Sequence, residues 1–188
     1  MADIAVYSGS FNPLHIGHLA IIRHLIEEAD FDMVYLIVSP KNPLKDSISS
    51  DSAAARYNAA IAAINRHFSE ISRVLVDDIE LSMPEPHYTI RTLDALRERE
   101  PENTFTLVMG ADSLADIRRW KDYSRILKDF GVAVFPRKEH DLATIKAYLL
   151  NENPTYRINL LNAEMVDISS TTIREAIASG DDPSAWLA

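Results

Sequence analysis

The chain contains no cysteine. That removes disulfides, thiol nucleophiles and cysteine-ligated zinc together. It is also short of positive charge: 19 Lys and Arg stand against 28 Asp and Glu, a formal net charge of −9 at pH 7. A protein that grips DNA or RNA by its phosphates needs a basic surface, so this balance argues against a nucleic-acid partner. Small anionic substrates survive the test, because a local nest of donors can outweigh the global sign. No apolar run is long enough to cross a bilayer, and Met1-Ala2-Asp3-Ile4 shows no basic leader but enters a strand at once. A soluble, cytoplasmic protein with no membrane partner is expected. Internal repeats, low-complexity tracts and obvious linkers are missing as well. Residues 1–188 are therefore read as one domain, large enough to bury most of its apolar surface without staples.

What is present alternates between two periods. Ile4–Tyr7, Met33–Val38, Val74–Val76, Thr104–Met109, Phe130–Phe135 and, more weakly, Arg157–Leu161 have the apolar runs of buried strands. Between them, helical spacing predicts helices over Gly17–Ala29, Ser52–Phe68, Tyr88–Arg99, Asp141–Leu150 and Ser170–Ser179, with Gly180 past the last one. Ser39–Ser50, rich in proline and lysine, is expected to be a loop, as is the stretch with Pro84 and Pro86. Such alternation implies an α/β fold, a Rossmann-like doubly wound parallel sheet with helices on both faces. Ligands of such sheets collect beyond the carboxyl ends of the strands. His15, the Pro40–Lys45 loop, Gly110-Ala111-Asp112 and Ser169-Ser170 all fall at or beyond strand ends, and are expected to share one crevice.

Two motifs carry chemistry. In Gly9-Ser10-Phe11-Asn12-Pro13-Leu14-His15-Ile16-Gly17-His18, a strand ends in glycine, turns and opens a helix. Backbone N–H groups at a helix start attract anions, and a three-residue spacing brings both imidazoles near one face. Such rings can donate to phosphoryl oxygens; the alternative is a pair of surface or capping histidines. The second motif, Ile168-Ser169-Ser170-Thr171-Thr172-Ile173-Arg174, sets hydroxyls at a helix start with an arginine one turn in. It serves either a polyphosphate or plain capping, with Thr172 and Glu175 at capping-box spacing. His24, His67, His87 and His140 have no motif and are expected on the surface.

Together the two motifs resemble the paired signatures of the HIGH-type nucleotidyltransferases. More narrowly, the chain resembles the bacterial nicotinate-mononucleotide adenylyltransferases. Pro40-x-x-Pro43-x-Lys45, Arg56, Glu80, His87-Tyr88-Thr89-Ile90-Arg91-Thr92-Leu93, Gly110-Ala111-Asp112-Ser113 and Trp120 follow in family order. The resemblance implies that Gly9, Ser10 and Phe11 line the ATP site and that His15 and His18 contact its phosphates. Lys45 and Arg174 would neutralise the triphosphate, and Ser169, Ser170 and Thr171 would cradle it. Tyr88, Thr89 and Trp120 would receive the pyridine nucleotide, and Gly110 and Asp112 would sit against a ribose. Asp112 has a helix cap as its alternative, and Trp120 a half-buried core position. The family pattern continues Arg-Pro-Gly where this chain has Phe135-Pro136-Arg137-Lys138, so Arg137 inherits no role. A further family helix gives way here to Asp182–Ala188, which leaves a homo-oligomer possible but unspecified.

The implied reaction is attack by the 5′-phosphate of nicotinate mononucleotide on the α-phosphorus of ATP, releasing pyrophosphate. Mg²⁺ is expected on the ATP phosphates, with no protein ligand of its own. A helix opening near Tyr88-Thr89 would favour a nicotinate carboxylate over a neutral carboxamide. Nicotinamide mononucleotide and phosphopantetheine stay open as acceptors. The other alternative is a nucleotide sensor that binds ATP without catalysis. An aminoacyl-tRNA synthetase shares the histidine motif, but this short acidic chain has no Lys-Met-Ser-Lys-Ser loop.

Overall fold

A computed structural model describes residues 1–40, 52–138, 140–163 and 168–188. In chain order the elements are β1 (Asp3–Gly9), α1 (Ile16–Glu27), β2 (Met33–Val38), α2 (Ala53–His67), β3 (Val74–Asp77), α3 (Ile79–Ser82) and α4 (Thr89–Arg99). Then come β4 (Thr104–Gly110), α5 (Ala111–Ala115), a 3₁₀ turn (Ile117–Arg119), α6 (Tyr123–Arg125), a π turn (Ile126–Phe130), β5 (Val132–Phe135), α7 (Leu142–Glu152), β6 (Ile158–Leu160) and α8 (Ser170–Ser179). The strands form one six-stranded sheet in the order β3-β2-β1-β4-β5-β6, and every pairing is parallel.

Period-two alternation in the strands creates two cores. β1 sends Ala5 and Tyr7 to one face and Ile4 and Val6 to the other; β2 divides Val34, Leu36 and Val38 from Tyr35 and Ile37. The first face is covered by α1 and α2 through Ile22, Leu25, Ile64 and Phe68. The second is covered by α4 and the segment after β4, through Leu93, Leu96, Leu114, Ile126 and Leu127. Leu25, Leu36, Leu93 and Leu127 are fully buried, each contributing about 1.5–3 kcal/mol of transfer free energy. This is the doubly wound α/β arrangement expected from the alternation. Strand order reverses between β1 and β4, so a crevice opens beyond Gly9 and Gly110, where those two strands end.

Several local expectations change. Phe130 belongs to the π turn, not to β5, because Gly131 at φ 81° redirects the chain before the strand begins. Residues 111–130, which carry no sustained helical period, fold as short turns pinned by Leu114, Ile117 and Ile126. His24 and His87 are buried, against expectation. His24 lies on the core side of α1 with Nδ1 3.4 Å from Glu28 Oε2, and His87 Nε2 is 3.0 Å from the Met83 carbonyl. In α8 Ile173 is buried but Ile177 is 52% exposed, so the apolar face is a single residue deep. The terminal segment pairs with the start of α1: Ile16 N–H donates to the Trp186 carbonyl at 3.0 Å, and His15 bridges Leu187. Among the described residues no helix is long and apolar enough to cross a membrane.

The β1–α1 corner is held by its own carbonyls. Phe11 adopts φ 44°, a conformation side chains resist, at a cost of order 1–3 kcal/mol. Arg56 on α2, only 4% exposed, donates to the carbonyls of Ser10 (2.5 Å), Ser39 (2.9 Å) and Pro40 (3.1 Å). It thereby ties the ends of β1 and β2 together. Replacing it by leucine strips a charged donor from three carbonyls. Arg56→Leu is expected to lower unfolding free energy by roughly 3–5 kcal/mol, read as a fall in the urea midpoint; an unchanged midpoint contradicts this role.

Candidate active site

A cleft of about 1010 Å³ opens over the crevice between β1 and β4. Gly9, Ser10, Phe11, His15 and His18 enter it from the β1–α1 corner, and Ser169, Ser170, Thr171 and Arg174 from α8. Tyr88 and Thr89 at the start of α4 line it too, as do Gly110, Asp112 and Trp120 after β4. Fourteen of the fifteen residues singled out in the sequence thus meet in one cavity. The fifteenth, Lys45, lies outside the described residues.

The imidazoles cap the helix they open. Gly17 N–H donates to His15 Nδ1 at 3.1 Å, and His15 N–H donates to His18 Nδ1 at 3.2 Å. The rings stack, centroids 3.6 Å apart and planes 24° apart. With both Nδ1 atoms accepting, the neutral rings carry their protons on Nε2. Desolvation, then the Arg137 charge, lowers the His15 pKa from 6.5 to about 4. His18 is pushed well below the usual value by burial, by His15 and by Arg137. Two stacked rings with a guanidinium nearby stay neutral.

This geometry corrects one expectation. The first N–H groups of α1 are not free for an anion: Ile16 donates to Trp186, Gly17 to His15 Nδ1, and His18 to the His15 carbonyl at 2.9 Å. Donors at this corner are the imidazole Nε2–H groups instead. Phe11 and Tyr7 stand edge-on to His18, at 5.0 and 6.1 Å between centroids, and keep its ring from turning. Gly17 is needed for the fit, since a Cβ there would lie 3.0 Å from the His15 ring and 3.2 Å from Ile168.

Ile168 thus brings the second motif against the first. Ser169 caps α8 by accepting from Thr172 N–H at 3.1 Å, so the cap is Ser169 rather than a Thr172–Glu175 box. Ser170 Oγ donates to the Pro13 carbonyl (3.0 Å) and Arg174 to the Asn12 carbonyl (2.6 Å) and Thr171 Oγ1 (3.1 Å). The N–H groups of Ser170 and Thr171 have no acceptor among the described residues, which leaves the start of α8 open to an anion.

On the other wall α4 begins after Tyr88 with no side-chain cap, leaving first-turn N–H groups for a ligand. Trp120 is half-buried, packed against the second core while lining the cleft. Asp112 is not a cap: Gly110 holds that position, and the carboxylate folds back so that a Cβ on Gly110 would meet Oδ1 at 2.5 Å. Sequence reasoning passed over Tyr7 and gave Arg137 no role, yet both line the cleft. Their positions, at the carboxyl ends of β1 and just past β5, were the available signal. Among the described residues no group of three or more His, Asp or Glu side chains is set to hold a metal ion.

The cytidylyltransferase-like family model matches residues 6–176. A Flavobacterium psychrophilum protein named "Probable nicotinate-nucleotide adenylyltransferase" is 38% identical over 174 residues, covering 93% of this chain and 86% of its own. A Flavobacterium johnsoniae protein of the same name is 33% identical over 97% of this chain and 93% of its own. The chain belongs to the nicotinate-nucleotide adenylyltransferase family, within the cytidylyltransferase-like group. The solved Plasmodium falciparum nicotinic acid mononucleotide adenylyltransferase complexed with NaAD shares its fold, with a TM-score of 0.80 and 20% identity over all of this chain and 91% of that one.

The depressed histidines set a pH dependence for this family member. An unfolded His15 takes up a proton near pH 6.5, whereas the folded one resists to about 4. Stability is therefore complete above about pH 6.5 and lost as pH falls toward 4, by on the order of 3 kcal/mol for His15. His18 acts in the same direction. Urea midpoints between pH 7 and 4 should fall in wild type and fall less in His15→Gln; parallel curves contradict the assignment.

Proposed function

We propose that this enzyme transfers AMP from ATP, taken as its magnesium complex, to nicotinate mononucleotide, giving the deamido dinucleotide and pyrophosphate. The observation that carries the reading is the stacked His15–His18 pair and the open start of α8 in one cleft, although some 150 residues separate them. The cytoplasmic setting expected from the sequence goes with this activity.

The nucleophile is an ionised phosphate, so no base has to generate it and no covalent enzyme intermediate is needed. What the reaction requires is alignment of two anions and neutralisation at the α-phosphorus and the leaving pyrophosphate. Gly9, Ser10 and Phe11 border the nucleotide. His15 and His18 donate from Nε2 to phosphoryl oxygens, and as negative charge gathers there the imidazolium forms become favourable. Ser169, Ser170 and Thr171 cradle the β- and γ-phosphates with free N–H groups and hydroxyls. Arg174 turns from the Asn12 carbonyl toward the triphosphate, Arg137 adds charge from just past β5, and Lys45 is the further cation. No described cluster of carboxylates or histidines would hold magnesium, which would arrive with the ATP phosphates and supply charge neutralisation there. Tyr88, Thr89 and Trp120 hold the pyridine nucleotide, with Gly110 and Asp112 against a ribose.

His18→Ala is expected to lower turnover by roughly 10²–10⁴-fold, the range for one preorganised donor or acid–base group. A steady-state pyrophosphate-release assay with ATP, Mg²⁺ and nicotinate mononucleotide measures it. Turnover close to wild type rejects the role.

A further inference from the structure

Trp120 stands on a rigid mount. Ile117 and Leu114, each 1% exposed, root the segment in the second core, and the Trp120 N–H donates to the Ile117 carbonyl at 2.9 Å. From α7, the Glu152 carboxylate accepts from Arg118 on one side of the tryptophan and from Tyr123, at 2.6 Å, on the other. The residues immediately flanking it, Arg119 and Lys121, both line the cleft. Nearby arginines are paired: Arg118 with Glu152, Arg125 and Arg97 with Asp94, Arg99 with Asp77. The Arg119 and Lys121 side chains have no ion-pair or hydrogen-bond partner among the described residues. In a chain of net charge −9, two uncommitted cations on either side of one indole, facing a cavity, need a physical account.

Their position supplies one. Trp120 and Tyr88 pack on the second core, whereas Tyr7, Phe11 and Leu14 beneath the histidine motif belong to the first. Arg119 and Lys121 flank Trp120, which the proposed function gives to the pyridine ring, whereas phosphoryl transfer is placed at the His15–His18 corner. An acceptor mononucleotide must present its 5′-phosphate to that corner, so only its ring end reaches Trp120. The cleft also holds Asp112 and Glu85, which oppose an anionic ring substituent. We infer that Arg119 and Lys121 select the acceptor by its ring carboxylate, favouring the acid mononucleotide over the amide. This rests on the proposed activity and names two specificity-determining residues for it.

The test compares kcat/KM for nicotinate and nicotinamide mononucleotides in wild type and in Arg119→Gln/Lys121→Met, with the KM for ATP as control. The acid-over-amide ratio should drop roughly tenfold or more, as expected for losing two partly screened charges, while the ATP KM holds. Added salt should depress acid kcat/KM in wild type and much less in the variant. Arg119→Lys should keep the preference, and the single variants Arg119→Gln and Lys121→Met give the same readout if the double variant does not fold. An unchanged ratio, or equal loss with both acceptors, overturns the inference and leaves the activity standing. Wild-type protein that adenylylates neither mononucleotide overturns the activity and the inference together.

Discussion

The reciprocal cap between His15 and His18 is the constraint on which the site depends. One imidazole satisfies the second N–H of α1, the other satisfies the backbone N–H of the capping residue, and the rings are left stacked. Capping and chemistry are here one arrangement. Committing Nδ1 to the backbone fixes each tautomer and each ring plane, and so leaves Nε2–H as the donor. Burial among Tyr7 and Phe11, with Arg137 close by, keeps both rings uncharged.

The rest of the molecule holds that corner in place. Arg56, Arg174 and Ser170 bond to the Ser10, Asn12 and Pro13 carbonyls of the turn, and the terminal segment supplies the acceptor for the first N–H of α1. An awkward turn, with Phe11 in left-handed backbone, is thus fixed from three sides. The same bonds join the two ends of the chain. In the proposed function, Arg174, which holds the Asn12 carbonyl, would exchange that contact for a phosphate and so couple substrate arrival to the geometry of the turn.

The sheet was legible because each strand is an apolar run bounded by turn residues, and a parallel sheet needs both faces covered. The meeting of His15 with Ser169–Arg174 was legible for a related reason: both follow strand ends, and such sheets place their ligands there. Residues 111–130 were not legible, since Leu114, Ile117 and Ile126 anchor short turns with no sustained period. Nor was the spending of the α1 N–H groups, which depends on Trp186, a residue far along the chain. His87 looked like a surface residue because nothing local reveals that it folds back onto the Met83 carbonyl. Arg137 was set aside on its neighbours' identity, although its place after β5 brings it into the cleft.

The most direct test is the protonation state of the two imidazoles, read by long-range ¹H–¹⁵N NMR of histidine-labelled protein at pH 7. The account predicts that His15 and His18 are both neutral, with bare Nδ1 and protonated Nε2, in the absence of nucleotide. A ring found as the Nδ1–H tautomer or as imidazolium under those conditions contradicts it.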